Sequence, residues 1–378
     1  MAQGVKSIHF WSYGPTYAST ENYWSDLKSE YAGIAKLNRS LEETEEVLYP
    51  AKTAADPVAV LYSVSHDIWN NRKQAVFTER RLLWHGLRHL NIQPDFLREE
   101  DVEAGSLEKY KALYITDWNI SRRASAAIDA WIKKGGVVYL SAGAATRDEY
   151  NEIYLPGYSR KVWDPDAAGE LNHQDSTYNE RTTLQRISPK TNARVRIGTL
   201  DFEIPVIGVR ASLNNQFESF ATFKDGTSAG KVVPYGLGRI VAVGFMPMLA
   251  YGKLANFEPK TLSEVWQSEP REILKQPVSI ANITPLASSD VPVVETNLLT
   301  GPKGDAIVLI NYTYKPIESL TISIKTNRRV SEAVSVEGSR IKILGQSDGT
   351  LRLKLPLEWT DIITLKFNDS GRANRVDE

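Results

Sequence analysis

The sequence contains no cysteine among its 378 residues. This absence excludes disulfide bonds, thiolate metal sites and cysteine nucleophiles. It leaves the redox compartment open, because a chain without thiols is compatible with reducing and with oxidising surroundings.

The sequence also lacks an excess of either charge: 45 Lys and Arg stand against 46 Asp and Glu, for a formal net charge of −1. Because no long basic tract occurs, a nucleic-acid partner is not expected. No apolar run approaches the roughly 18 residues of a membrane-spanning helix, so no membrane partner is expected either. The first six residues lack the apolar core of a signal peptide. Localisation stays open between the cytoplasm and secretion as part of a longer precursor.

The pattern that is present is that of an α/β fold, centred on residues 130–143. An amphipathic helix ends on two lysines, Gly135 and Gly136 form a turn, and the apolar run 137–140 follows. Helix, glycine turn and buried strand form one step of an open parallel sheet. Strands and helices alternate in this way from Pro57 onwards, which indicates a parallel sheet covered on both faces.

Two later changes of pattern divide the chain further. Residues 147–184 lose regular periodicity, and strand signals return between 195 and 245. After a proline-bounded linker at 277–285 the sequence is purely β, with turn signals about every 8–12 residues, as in a β-sandwich. We therefore expect an α/β domain followed by a small β-sandwich.

Polar and aromatic side chains cluster at two predicted strand ends of the α/β domain. His66, Asp67 and Trp69 follow the strand at 57–63, and Asp117 and Trp118 lie at the end of the strand at 112–117. Ligands in open α/β sheets usually bind beyond the carboxyl ends of the strands. These five residues are therefore a candidate binding rim, and the alternative is a set of polar loops without a ligand.

Other catalytic patterns fail on residue type or spacing. Ser141 lacks the Gly-x-Ser-x-Gly turn that exposes a nucleophilic serine. His85 and His89 have the spacing of a zinc pair, but the glutamate of a His-Glu-x-x-His site is missing. We predict no metal, no cofactor and no catalytic residue in this chain, and we place the two histidines at solvent or an interface.

The first 31 residues are rich in aromatic side chains. Residues 5–11 read as a strand, a helix begins near Glu21, and Ser40 with Glu43 fits the capping box of a second helix. The apolar face of the first helix is expected to dock on the α/β domain. The aromatic cluster has two interpretations: packing, or a platform on which a sugar ring stacks.

Several stretches together resemble the C-terminal half of glycoside hydrolases related to the family 42 β-galactosidases. They are 57–63 (PVAVLYS), 132–140 (IKKGGVVYL), 147–151 (RDEYN), 294–299 (VETNLL), 306–313 (AIVLINYT), 355–357 (LPL) and 361–365 (DIITL). The resemblance lies in the pattern and order of residues 5–367, without an invariant motif. It implies the end of a TIM barrel, then a glutamine-amidotransferase-like α/β trimerisation domain, then a small β domain.

The resemblance implies domains at 1–55, 56–285 and 286–370, with a disordered tail at 371–378. Residues 1–55 would be the last strand and helix of the barrel, or a linker. Trp11 would contact sugar at the mouth of that last strand, and Tyr13 and Glu21 are further candidates. The family's two catalytic carboxylates have no counterpart in this chain.

The sequence therefore predicts a non-catalytic, oligomerising portion of a β-galactosidase-like glycoside hydrolase that also lines a sugar site. Two alternatives stay open: a glycoside hydrolase completed by an upstream barrel or partner chain, and a free-standing carbohydrate-binding or scaffold protein. Carbohydrate is the expected ligand, and a homotrimer or homodimer is the expected assembly.

Overall fold

The computed structural model describes residues 2–9, 28–70, 74–164, 188–189, 191–214, 216–254 and 266–368. The chain forms two compact units. The α/β unit is Ala55–Pro285, and the β unit joins Met1–Ala54 to Leu286–Glu378. The predicted tail at 371–378 lies outside the described residues, and the division into domains at 55, 285 and 370 stays a prediction.

Helices and strands are numbered along the chain. The helices of the described residues are α1 (Lys28–Leu48), α2 (Val64–Asn70), α3 (Gln74–His89), α4 (Glu99–Glu103), α5 (Arg122–Lys133), α6 (Gly157–Arg160), α7 (Pro247–Leu254) and α8 (Glu269–Ile280). The strands are β1 (Lys52–Thr53), β2 (Val58–Tyr62), β3 (Asp95–Arg98), β4 (Ala112–Ile115), β5 (Val137–Leu140), β6 (Thr191–Ile197), β7 (Leu200–Val206), β8 (Ser219–Phe223), β9 (Ser228–Tyr235), β10 (Gly238–Val243), β11 (Ala287–Ser289), β12 (Val294–Gly301), β13 (Gly304–Asn311), β14 (Ile317–Lys325), β15 (Val330–Ser335), β16 (Lys342–Ser347), β17 (Thr350–Leu357) and β18 (Thr360–Phe367).

The α/β unit is built on one mixed sheet. Its described strands have the order β3-β2-β4-β5-β10-β9-β8-β6-β7. Strands β3 to β10 are parallel, and those from β10 to β7 are antiparallel. The prediction of an open parallel sheet is therefore right for only one half. The other half is antiparallel because short turns, such as Gly236-Leu237 between β9 and β10, can join only antiparallel neighbours.

Local sequence explains the parallel step around α5. The hydroxyl of Ser121 accepts a hydrogen bond from the Ala124 N–H (3.1 Å) and so caps the helix. The start of β10 then packs against the end of α5. A Cβ at Gly238 would lie 2.2 Å from the carbonyl oxygen of Ile132, so only glycine fits this contact.

The β unit is a sandwich of two antiparallel sheets. One sheet has the order β1-β12-β13-β18-β15 and the other β11-β14-β17-β16. The inward-facing residues of both sheets, including Leu309, Leu353 and Ile363, form one core. This core accounts for the alternating apolar pattern of the C-terminal sequence.

The N-terminal helix packs on this sandwich. Leu48 of α1 shares a small core with Leu299 and Val308, which face outwards from β12 and β13. The helix can pack there because these strands are apolar on both faces. The face predicted to dock on the α/β domain includes Trp24 and Leu27, which lie outside the described residues, so that docking stays a prediction. The predicted break at Ser40 is wrong: its hydroxyl donates to the Lys36 carbonyl (3.1 Å) within one continuous helix.

The remaining N-terminal predictions are only partly covered by the structure. Residues 5–9 form neither helix nor strand, so the strand predicted at 5–11 is not seen in its described part. None of the described helices is both long enough and apolar enough to cross a membrane.

Candidate functional site

The predicted rim residues of the α/β unit lie where β2 and β4, two neighbouring parallel strands, end. His66, Asp67 and Trp69 belong to α2, which directly follows β2. Asp117 and Trp118 follow β4. The three N-terminal candidates, Trp11, Tyr13 and Glu21, lie outside the described residues.

Arg80 of α3 joins two of the predicted carboxylates. Its Nη1 donates to Asp117 (2.7 Å), and its Nη2 donates to both oxygens of Asp67 (2.9 and 3.1 Å). Asp117 also accepts the Ser63 N–H at 2.8 Å. Complete burial raises the pKa of Asp117 against the opposing effect of Arg80. Burial alone would lower the pKa of Arg80, but the two carboxylates raise it above its ordinary value.

His66 and Trp118 are buried rather than arranged as a rim. The Trp118 N–H donates to His66 Nδ1 (3.1 Å), and the Trp118 indole N–H donates to the Ala142 carbonyl beyond β5 (2.9 Å). Asn70 donates to the Asn119 side-chain oxygen at 2.7 Å. These bonds fasten three successive strand ends to one another, so they explain the polar residues without a ligand.

Glu99 is a member of this network that sequence reasoning missed. It directly follows β3, so its position after a third strand was the available signal. Its carboxylate accepts the N–H and hydroxyl of Ser65 (3.1 and 3.0 Å) and the Ser121 N–H (2.6 Å). We call Glu99, Arg80, Asp67, Asp117, His66 and Asn119 the strand-end network.

Trp69 is the exposed member of the predicted set. About half of its side chain is accessible, and its indole N–H donates to the Glu149 carbonyl at 2.8 Å. Asp67 is partly accessible, whereas Asp117 and Trp118 are buried. The open rim is therefore limited to the Trp69 and Asp67 side.

A groove of about 510 Å³ lies beside the network, and we call it the α3–β3 groove. Its lining is mainly aromatic and cationic: Tyr62, Phe77, Arg80, Arg81, Trp84, His85, Phe96 and Arg98. Phe77 and Phe96 are each about half exposed. This volume lies within the roughly 300–1,000 Å³ range of ligand pockets.

The cations of the groove differ in their environments. Arg80 packs 4.6 Å from the Tyr62 ring centroid and is held by the network behind it. Arg98 pairs with Asp101 at 3.3 Å. Arg81 lies 5.9 Å from the Phe77 ring centroid and forms no ion pair with any residue that the structure describes. The groove thus combines an apolar surface with the positive charge of Arg81 at its edge.

The histidine prediction is corrected by the structure. His89 is buried in the α/β unit, where its Nδ1 lies 2.7 Å from the Tyr251 hydroxyl and its ring meets Trp266 edge-on. Burial lowers its pKa well below the ordinary value. His89 is expected at the surface because the sequence pattern indicates burial only for the face of Leu83 and Leu87. In the structure α7 and α8 also cover α3, so the buried face of this helix extends beyond those two residues.

Ser141 lies directly after β5 and is also buried. Its hydroxyl has no hydrogen-bond partner within the described part of the chain. A fully buried hydroxyl cannot attack an external substrate, so its position gives no support to a serine hydrolase.

Three solved structures that share this fold are glycoside hydrolases. The chain matches a β-galactosidase from Bacillus circulans sp. alkalophilus with a TM-score of 0.57 and 14% identity, over 89% of this chain and 45% of that one. It matches a catalytic mutant of a family 42 β-galactosidase from G. stearothermophilus with a TM-score of 0.53 and 14% identity, over 84% and 41% of the two chains. For an α-L-fucosidase from Paenibacillus thiaminolyticus the TM-score is 0.53 at 13% identity, over 87% and 51%.

The chain therefore has a glycoside-hydrolase-related fold and resembles the C-terminal region of family 42 β-galactosidases, as the sequence predicts. It spans less than half the length of these β-galactosidases. No protein-family model matches the sequence, and no curated protein does.

Proposed function

We propose that this chain is a non-catalytic, oligomerising portion of a β-galactosidase-like glycoside hydrolase. The observation that carries the proposal is the α3–β3 groove, which is an exposed aromatic surface. The polar residues of the strand-end network beside it already form hydrogen bonds within the protein. The parallel half of the mixed sheet supports the finer assignment of this unit as an amidotransferase-like trimerisation domain.

The carboxylates of the strand-end network support a non-catalytic role. A retaining glycosidase needs one carboxyl as acid and another as nucleophile, about 5 Å apart and facing the sugar. Here Asp67 and Asp117 share the guanidinium of Arg80 as a hydrogen-bonded counterion. Because Asp117 is also fully buried, this pair cannot flank a glycosidic bond.

The composition of the groove favours a second copy of this chain as its occupant. Aromatic residues and arginine are enriched at protein interfaces and dominate their binding energy. Soluble monomers rarely expose apolar patches of this kind without a binding role. Two half-exposed phenylalanines beside Arg81 fit an interface better than a solvated surface.

The sugar-binding role is proposed for the accessible side of the network. Trp69 offers a half-exposed ring, and Asp67 offers a partly exposed carboxylate that could accept sugar hydroxyls. Trp11, Tyr13 and Glu21 remain proposed contacts on the strength of the sequence resemblance alone.

Light scattering coupled to size-exclusion chromatography tests the assembly. At tens of micromolar the chain should elute at two or three times its 42.3 kDa mass. Phe96→Glu places a charge in the groove and should shift the mass towards the monomer. Leu237→Glu is the matched control, because Leu237 is largely exposed in a turn of the same unit and should change nothing.

A monomeric wild-type chain would refute the proposal. Assembly that survives both Phe96→Glu and Phe77→Glu would refute the groove as the interface.

A further inference from the structure

The β unit exposes two aromatic rings on adjacent loops. Tyr314 lies between β13 and β14, and Trp359 lies between β17 and β18. Their side chains are 37% and 49% exposed. The ring centroids are 6.0 Å apart, with an angle of 63° between the planes. We call these residues the aromatic pair.

One buried amide holds both loops in place. Asn311 Nδ2 donates to the carbonyl oxygens of Lys315 (2.8 Å) and Glu358 (2.6 Å). The Asn311 N–H donates to the Trp359 carbonyl at 2.8 Å. Its Oδ1 accepts from the N–H and hydroxyl of Thr313 (2.9 and 2.6 Å). The aromatic pair is therefore preorganised by a satisfied network and not by packing of the rings into a core.

The backbone at Tyr314 is in the left-handed region, with φ of 53°. This conformation is costly for a bulky residue, and glycine or asparagine usually occupies it. Strain of this kind in a native fold is often found at functional sites. The tyrosine places a ring beside Trp359 although its backbone conformation is unfavourable. The ring is exposed, so burial in a core does not explain why a tyrosine occupies this position.

We propose that the aromatic pair is a binding site for a neutral pyranose ring. Tyrosine and tryptophan combine an apolar face, which can cover the C–H face of a sugar, with polar edges. The two tilted rings form adjoining walls. Lys315 and Glu358 are exposed, directly adjoin Tyr314 and Trp359 in the sequence, and can hydrogen-bond sugar hydroxyls. Their opposite charges favour an uncharged sugar over an acidic one.

This site is distinct from the strand-end network and does not depend on the proposed assembly. It lies wholly within the β unit, and its residues come from the loops at one end of the sandwich strands. If the aromatic pair did not bind sugar, the oligomeric mass would be unchanged. If the chain were a monomer, sugar binding by the pair would be unchanged.

Saturation-transfer NMR on the full chain tests the proposal. The probes are methyl β-galactoside, methyl β-glucoside and a β-1,4-linked galacto-oligosaccharide, each titrated to about 20 mM, because single-ring contacts give weak affinity. At least one probe should receive saturation. To remove the sugar contact proposed at Trp69, the Tyr314 and Trp359 variants are compared in a Trp69→Ala background: there Trp359→Ala should weaken probe binding at least tenfold, and Tyr314→Phe should retain it.

Two further variants separate binding from folding. Tyr314→Gly removes the ring but accepts the left-handed backbone, so it should lose binding without lowering the melting temperature. Tyr49→Ala removes a largely exposed aromatic elsewhere in the same unit and should bind as the wild type does.

Three results would overturn the proposal. The first is that no probe receives saturation from the protein, and the second is that Trp359→Ala binds the probes as tightly as its parent. The third is that Trp69→Ala alone abolishes binding whereas Trp359→Ala alone does not change it. The last would place the sugar at the strand-end network.

Discussion

Two tryptophans in loops next to strand ends, one in each unit, have opposite environments. Trp118 follows β4, is 2% exposed and donates its indole N–H to the Ala142 carbonyl. Trp359 precedes β18, is 49% exposed and touches Tyr314. The α/β unit thus uses its strand-end residues to bind its own loops together. The β unit presents the Tyr314–Trp359 pair outwards.

The difference shows that a position at a strand end does not decide whether a residue binds a ligand. In the α/β unit the loops beyond β2, β4 and β5 are long enough to fold over one another, so polar side chains find partners within the protein. In the β unit the loops that carry Tyr314 and Trp359 are short connections between strands of the two different sheets, and their side chains have little protein to pack against.

The largest expected effect separates the two tryptophans by stability. Trp118→Ala should lower the free energy of unfolding of the α/β unit by about 3–5 kcal/mol, because it empties a buried site. Trp359→Ala should cost less than about 0.5 kcal/mol, as for other exposed residues. Urea denaturation followed by circular dichroism measures both. Equal losses would mean that Trp359 is a packing residue.

The next effect tests the ion pairs of the strand-end network. Arg80→Leu leaves Asp117 buried without its counterion and should lower the free energy of unfolding by roughly 3 kcal/mol at neutral pH. Arg81→Leu is the matched control on the same helix and should cost less than about 0.5 kcal/mol. Indistinguishable losses would show that Arg80 contributes packing rather than charge.

A smaller effect concerns pH and the buried Glu79 of α3. Its carboxylate accepts the N–H groups of Met248 and Leu249 at the start of α7 (3.3 and 2.9 Å). Burial raises its pKa from 4.5 to about 8, against these two hydrogen bonds. Because the folded state keeps a proton that the unfolded state releases, stability is present below about pH 4.5 and declines as the pH rises towards 8.

Glu79→Gln should remove this decline. The difference in unfolding free energy between variant and wild type should shift in favour of the variant by about 2 kcal/mol from pH 5 to pH 6.5. Denaturation of both proteins at the two pH values measures the shift. Parallel pH profiles would contradict the assignment of the slope to Glu79.

The sequence predicted the elements of the fold better than their arrangement. The strands β2, β4 and β5 were evident because continuous apolar runs between turn residues mark buried parallel strands. That the strands predicted between 195 and 245 belong to the same sheet was missed, because strand order depends on connections that apolar patterns do not encode. The docking of α1 was missed for a related reason: the second apolar face of β12 and β13 has no partner visible in the sequence.

The sequence predicted where the candidate residues lie in the fold, but not which of their side chains are exposed. His66, Asp67, Trp69, Asp117 and Trp118 do lie near the ends of adjacent strands. Their partners Arg80 and Glu99 come from α3 and the end of β3, and only the folded structure shows that these side chains converge. The Tyr314–Trp359 pair gave no sequence signal, because its residues are 45 positions apart on separate loops between the two sheets.

We propose that this chain contributes assembly and sugar contacts but no bond cleavage. Hydrolysis of an aryl β-galactoside by the purified chain alone tests it most directly. The engaged carboxylates of the strand-end network predict no turnover above buffer. Turnover well above buffer that is lost on Asp67→Asn, or on changing any other single Asp or Glu of this chain, would contradict the claim.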